Sequence, residues 1–144
     1  MAFVVGRKVV KDTEEFDSYA YGITLPVKNG STGFFEQAFT SRDQAKSNLM
    51  NLLLTDRGER IMQPDFGTGL KNLLFEQMDD ELFEDRIKTT ILDSVSFWLP
   101  YITITSIEVE ATDELRDNNQ VNVYVQFSMG DDLTLEEVTF TVQG

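Results

Sequence analysis

The repeat of apolar residues changes period at Pro100, and that change constrains the fold more than any other feature of the chain. Before it, Phe83, Ile87, Ile91, Val95 and Trp98 recur at three- and four-residue steps, which places them on one side of a helix about five turns long. Asp79 or Asp80 supplies the N-cap. Pro100 stops the helix, because the residue before a proline avoids helical backbone angles. After it, Val121, Val123, Val125, Phe127 and Met129 alternate with Asn122, Tyr124, Gln126 and Ser128, as in a strand with one apolar face. The alternation resumes at Val138, Phe140 and Val142, beyond a tight connection at Gly130-Asp131-Asp132. Ile102 and Ile104 share one phase, whereas Ile107, Val109 and Ala111 share the other. That slip at Thr105–Ser106 predicts a bulge, or a strand that begins near 106. Asp113–Asn119 reads as a polar turn.

Upstream, Ala45, Leu49, Leu52 and Leu53 predict a helix from about 42 to 55, capped by Ser41 with Asp43 in its first turn. Ile23, Leu25 and Val27 alternate within Tyr21–Lys28, although Pro26 demotes that run to an edge or short strand. Asn29-Gly30 supplies a turn, and Phe34, Phe35 and Phe39 follow in a segment able to pair back as a hairpin. Residues 1–20 read as an arm, with Arg7, Lys8 and Lys11 ahead of Asp12, Glu14, Glu15 and Asp17. The fold class expected is α+β: two main helices packed on a C-terminal three-strand antiparallel meander, with a short N-terminal β-hairpin or arm. Residues 1–144 are expected to form a single domain, helical over 41–99 and β-sheet over 101–143.

Composition narrows the chemistry. The chain has no Cys and no His, which removes disulfides, thiolate and imidazole nucleophiles, and zinc sites built from those residues. A net charge of −13 disfavours nucleic acid as a partner, since phosphates demand a basic face. It suits basic protein surfaces, and equally it suits plain solubility. No apolar run is long enough to cross a membrane, and MAFVVGRKVVKD does not read as a signal peptide, so synthesis in the cytoplasm is the expectation.

The densest turn chemistry lies between the two helices, in NLLLTDRGERIMQPDFGTGLKNLLFE from Asn51 to Glu76. Pro64 fixes its own φ and forces Gln63 to be extended, while Gly67 and Gly69 permit angles that a Cβ disfavours. A short helical piece is expected over Leu70–Glu76. Phe66 reads as an apolar plug. Glu59 and Arg60 are neighbours on an extended segment and so point apart, which leaves each to find a partner elsewhere, either in this chain or on a neighbour. The planar fork of an arginine suits carboxylates or backbone carbonyls at an interface.

The order Thr-x-x-Gly-Glu-Arg, Pro-Asp-Phe-Gly, Leu-x-x-Leu-x-Phe-Glu resembles the signature of the baseplate wedge or sheath-initiator family of contractile phage tails, type VI secretion and related injection systems. The resemblance implies a structural role in a tail baseplate. Glu59, Arg60 and Pro64 would contact the helical core bundle of the wedge, with Asp65, Phe66 and Gly67 shaping the loop. Relatives place a basic residue before the proline, where this chain has Gln63. The resemblance also implies that the C-terminal sheet templates sheath polymerisation by strand addition, through a region containing Glu108, Glu110, Val123, Val125, Val138 and Phe140. Implied partners are wedge proteins and the sheath protein, with tube or hub proteins as further candidates. The implied location is a virion tail baseplate, or the cytoplasm for a secretion system.

Glu108, Glu110, Glu136 and Glu137 on the outer strands also have a simpler reading, as charges that deter promiscuous edge pairing. The alternative function is a peptidoglycan hydrolase of the baseplate, because this family has carried a lysozyme label. Glu59 and Asp65 would be its acid–base pair, with Glu76 as a third candidate. However, a chain with 25 acidic residues holds carboxylate pairs by chance, and Trp98 belongs to a helical stripe rather than to a sugar-binding cleft. The expectation is no catalytic residue, no metal and no cofactor.

Overall fold

The computed structural model describes residues 19–30, 33–76, 80–130 and 132–143. Apart from its last two residues, the arm expected over 1–20 lies outside them, as do Asp79 and Asp131. The chain divides into two compact units, residues 1–48 and 49–144.

In the first unit, β1 (Gly22–Ile23) pairs antiparallel with β2 (Gln37–Ala38), with Gly22 opposite Ala38. The hairpin is shorter than the alternation over Tyr21–Lys28 suggests. Pro26 has no N–H to donate, and the Leu25 N–H leaves the ladder to reach the Ser47 hydroxyl at 3.1 Å. Phe34 and Phe35 are exposed and precede the second strand rather than forming it.

Helix α1 (Ser41–Leu54) begins with a reciprocal cap one residue earlier than expected. The Asp43 N–H donates to Thr40 Oγ1 at 3.1 Å, and the Thr40 hydroxyl donates back to the Asp43 carboxylate at 2.6 Å. Ser41 therefore lies inside the helix, and Thr40 is the cap. Thr40→Ala is expected to cost about 1 kcal/mol, read as a lowered midpoint of thermal unfolding. Ala45, Leu49, Leu52 and Leu53 are all buried, as their spacing requires.

The second unit holds α2 (Leu70–Leu73), α3 (Asp80–Trp98), β3 (Ile102–Glu110), α4 (Asp113–Asp117), β4 (Gln120–Met129) and β5 (Asp132–Gln143). The strands form an antiparallel meander in the order β3-β4-β5, and the fold is α+β. Helix α3 lies against β3, while α2 touches both α3 and β5. Phe83, Ile87, Ile91 and Val95 of the helical stripe are buried, as are Val121, Val123, Val125 and Phe127 on the middle strand. Burying a side chain of this kind contributes about 1.5–3 kcal/mol.

The phase slip in β3 is a bulge. Ile104 pairs with Phe127 and Ser106 with Gln126, so Thr105 is the extra residue. It brings Ile104 and Ile107 onto the same side of the sheet despite their odd spacing. The polar segment Asp113–Asn119 differs from the plain turn expected. Its first five residues wind into α4, and Asn119 ends it with a positive φ of 51°. Asparagine tolerates that left-handed geometry better than most residues. None of the described helices is long and apolar enough to cross a membrane.

Candidate docking loop

Residues 55–69 leave α1 and return to α2 as a braced loop. Its neck is a parallel bridge between Asp56 and Thr68, where the Thr68 N–H donates to the Thr55 carbonyl at 2.9 Å and the Arg57 N–H to the Thr68 carbonyl at 3.3 Å. Thr68 is fully buried, and its hydroxyl donates to the Leu53 carbonyl at 3.0 Å, meeting a carbonyl left open in the last turn of α1. Lys71 closes the neck from α2 with a 2.9 Å ion pair to Asp56, which holds its ammonium pKa above the usual lysine value. Further out, the Gly58 N–H donates to the Pro64 carbonyl at 2.7 Å, and Gln63 and Phe66 each close a turn on the residue three before it.

Of the two sources of partners left open for Glu59 and Arg60, the structure supplies the first, because both are met within this chain. A Glu59 carboxylate oxygen accepts the Asp56 N–H at 2.9 Å. The Arg60 guanidinium donates to Asn51 Oδ1 at 3.1 Å and lies over the Phe66 ring, 3.8 Å from its centroid. The cause is simple. The segment turns instead of running extended, so residues that would point apart both curl back onto the neck. Phe66 in turn meets Trp98 edge-on, with ring centroids 5.2 Å apart. Trp98 is half-buried against the loop and is not a fully enclosed member of the helical core.

The large apolar residues of the loop left outward are Ile61 and Met62, 96% and 95% exposed at its tip. Sequence reading passed over them in favour of the charges. The available signal was two apolar residues between Arg60 and Gln63-Pro64, where no periodicity assigns them to a core.

The carboxylates weighed for hydrolysis have different surroundings. Glu59 serves the Asp56 N–H, Asp65 lines a surface cleft with Asp93, and Glu76 is exposed in the turn after α2. Groups of carboxylates able to hold a metal do not occur among the described residues.

In the sheet, Val123, Val125, Val138 and Phe140 are buried, so their side chains build the core. Val123 and Val125 also sit on the middle strand, paired on both sides. Glu108 and Glu110 are exposed on β3, an edge strand. Glu110 accepts from Tyr124 Oη at 3.1 Å and from Asn122 Nδ2 at 3.2 Å, and Asn122 accepts from the Thr141 hydroxyl at 2.9 Å. This polar row crosses all three strands. The Glu110 hydrogen bond raises the Tyr124 phenol pKa above its ordinary value.

Three solved structures are similar to this chain. A candidate tail lysozyme from Geobacter sulfurreducens matches at 19% identity with a TM-score of 0.62, over 72% of this chain and 91% of its own. A chain of the anti-feeding prophage baseplate matches at 16% identity with a TM-score of 0.54, over 84% and 82% respectively. A chain of the post-contraction pyocin R2 baseplate gives 15% identity and a TM-score of 0.47, over 82% and 98%. The first two share the fold, and the third carries no weight beyond them. No curated protein matches. Residues 40–132, well over half of the chain, match the family described as baseplate wedge protein gp25. The chain belongs to the baseplate wedge protein gp25 family, and so is a baseplate component.

Proposed function

We propose that this baseplate component bridges two assemblies, docking on the helical core bundle of the wedge through its loop and seeding the sheath through its sheet. The observation that carries the docking half is the pairing of a braced neck with a bare apolar tip. Ile61 and Met62 are almost wholly exposed on a backbone already fixed by its own hydrogen bonds. Burial in a groove between helices would gain about 1.5–3 kcal/mol for each side chain. Little ordering entropy opposes that gain, because the loop is shaped beforehand. Glu59, Arg60, Pro64, Asp65, Phe66 and Gly67 then act mainly by setting the angle at which the tip is offered.

The seeding half rests on the strand order. β3 and β5 each pair with β4 on one side, so within the meander each has an edge able to accept a strand. Glu108 and Glu110 on β3 and Glu137 on β5 would turn away acidic strands and favour a partner with matching basic residues. A preformed acceptor edge lowers the nucleation barrier for the first sheath ring. In this reading the protein is made in a host cytoplasm and then built into the tail, with wedge and sheath proteins as its neighbours.

Hydrogen exchange on the protein mixed with sheath subunits tests the seeding. Strand addition should slow exchange at alternate residues along one outer strand, β3 or β5, because only every second N–H points outward. Unchanged exchange along both strands, with sheath protein bound, would rule strand addition out.

A further inference from the structure

A cleft of about 360 Å³ opens between the loop and the last turns of α3. Arg57 and Asp65 line it from the loop, and Asp93, Ser94, Phe97 and Trp98 line it from the helix. The Arg57, Asp65 and Asp93 side chains are exposed, and none makes a hydrogen bond or ion pair among the described residues. Ser94 is only 3% exposed, yet its hydroxyl has no hydrogen-bond partner. Phe97 is 75% exposed and stands edge-on to Trp98 at 5.0 Å between centroids.

The lining selects its occupant. Two carboxylates outweigh one guanidinium, so a cation is favoured. The aromatic wall favours a flat, weakly hydrated cation over a compact ammonium. The chain already shows this contact one step away, where the Arg60 guanidinium lies on Phe66 and Phe66 meets Trp98. Phe97 and Trp98 extend that row into the open cleft.

We propose that the cleft seats an arginine side chain of the partner protein. Its guanidinium lies against Phe97 and Trp98 and faces the Asp65 and Asp93 carboxylates. Arg57 is left at the rim for a carboxylate on the same partner. The inference deepens the docking reading by naming the chemistry that the wedge would present beside the groove for Ile61 and Met62.

The chain has one tryptophan, Trp98, so its emission reports on this cleft alone. The probes are N-acetyl-arginine amide and its uncharged isostere N-acetyl-citrulline amide, titrated into the isolated protein. Arginine amide should change the emission saturably and citrulline amide should not. Asp65→Asn/Asp93→Asn should weaken the arginine response about tenfold, as expected for loss of two exposed carboxylates at a desolvating site. Phe97→Ala should weaken it as well, by removing the outer face of the wall. Equal responses to the two amides, no response to arginine amide, or an unchanged response in the double Asn variant would each overturn the proposal. The failures are separable. If arginine amide does not bind while the loop tip is still needed for wedge recruitment, the cleft proposal falls and docking stands. If arginine amide binds while tip variants are recruited normally, the docking reading falls instead.

Discussion

Replacing Ile61 and Met62 together by serine is expected to leave the protein folded while lowering its affinity for the wedge about a hundredfold or more. Stability should change by no more than about 0.5 kcal/mol, because both side chains are already in water and touch no core. Binding is different. Each tip residue gives up nearly all its exposed apolar surface when it enters a groove, and together they forfeit about 3–5 kcal/mol of burial. Part of that loss is recovered by hydration of the serine hydroxyls. Thermal unfolding of the isolated variant, beside titration against purified wedge complexes, separates the two effects. A variant that binds as tightly as the parent would show that the tip is not the anchor. Arg60→Ala is a poorer probe than its charge suggests, since Arg60 braces Phe66 and Asn51 and its removal also disturbs the loop.

Gly67→Ala should be among the most damaging single-methyl changes available. Gly67 has φ +114°, a region that L side chains avoid, and an added Cβ would press into the Thr55 carbonyl. That carbonyl is the acceptor for the Thr68 N–H that holds the neck shut, so the strain cannot be relieved without opening it. Backbone strain of about 1–3 kcal/mol adds to a similar cost of overpacking, for about 3 kcal/mol or more in total. In a chain of this size that lowers the unfolding midpoint by about 10 °C. Gly58 is the internal control. It has φ +88° with nothing within 4 Å of the position a Cβ would take, so Gly58→Ala should cost only about 1–2 kcal/mol. Equal effects at the two glycines would mean that the neck does not depend on close approach.

Periodic features were legible in the sequence because burial repeats with the backbone. The α3 stripe, the alternation in β4 and the odd step at Thr105 all follow from which face meets the core. What was not legible depends on how a short segment folds on itself. Glu59 and Arg60 have no local explanation on an extended backbone, and the turns of the loop bring them back to Asp56 and Asn51. The helical turn in Asp113–Asp117 escaped notice because it has no apolar periodicity to announce it. The valines assigned to a partner-facing sheet were already committed to the core by the alternation that identified the strand. Ile61 and Met62 were missed for the opposite reason. An apolar pair outside any repeat carries no instruction about its surroundings, and only the loop's geometry shows that it is bare.

The polar row from Glu110 through Asn122 to Thr141 has a consequence for anything that stacks on this sheet. The apolar side alone would tolerate a slip of two residues between strands, since valine would again meet valine. The row adds to the preference for the observed register, because such a slip moves Asn122 from its place opposite both Glu110 and Thr141. The observed alignment of the meander is therefore favoured on both faces. A strand that joins its edge inherits that alignment together with the sheet's spacing and twist. If strands add to that edge, the row would serve as a zero mark from which their alignment is counted.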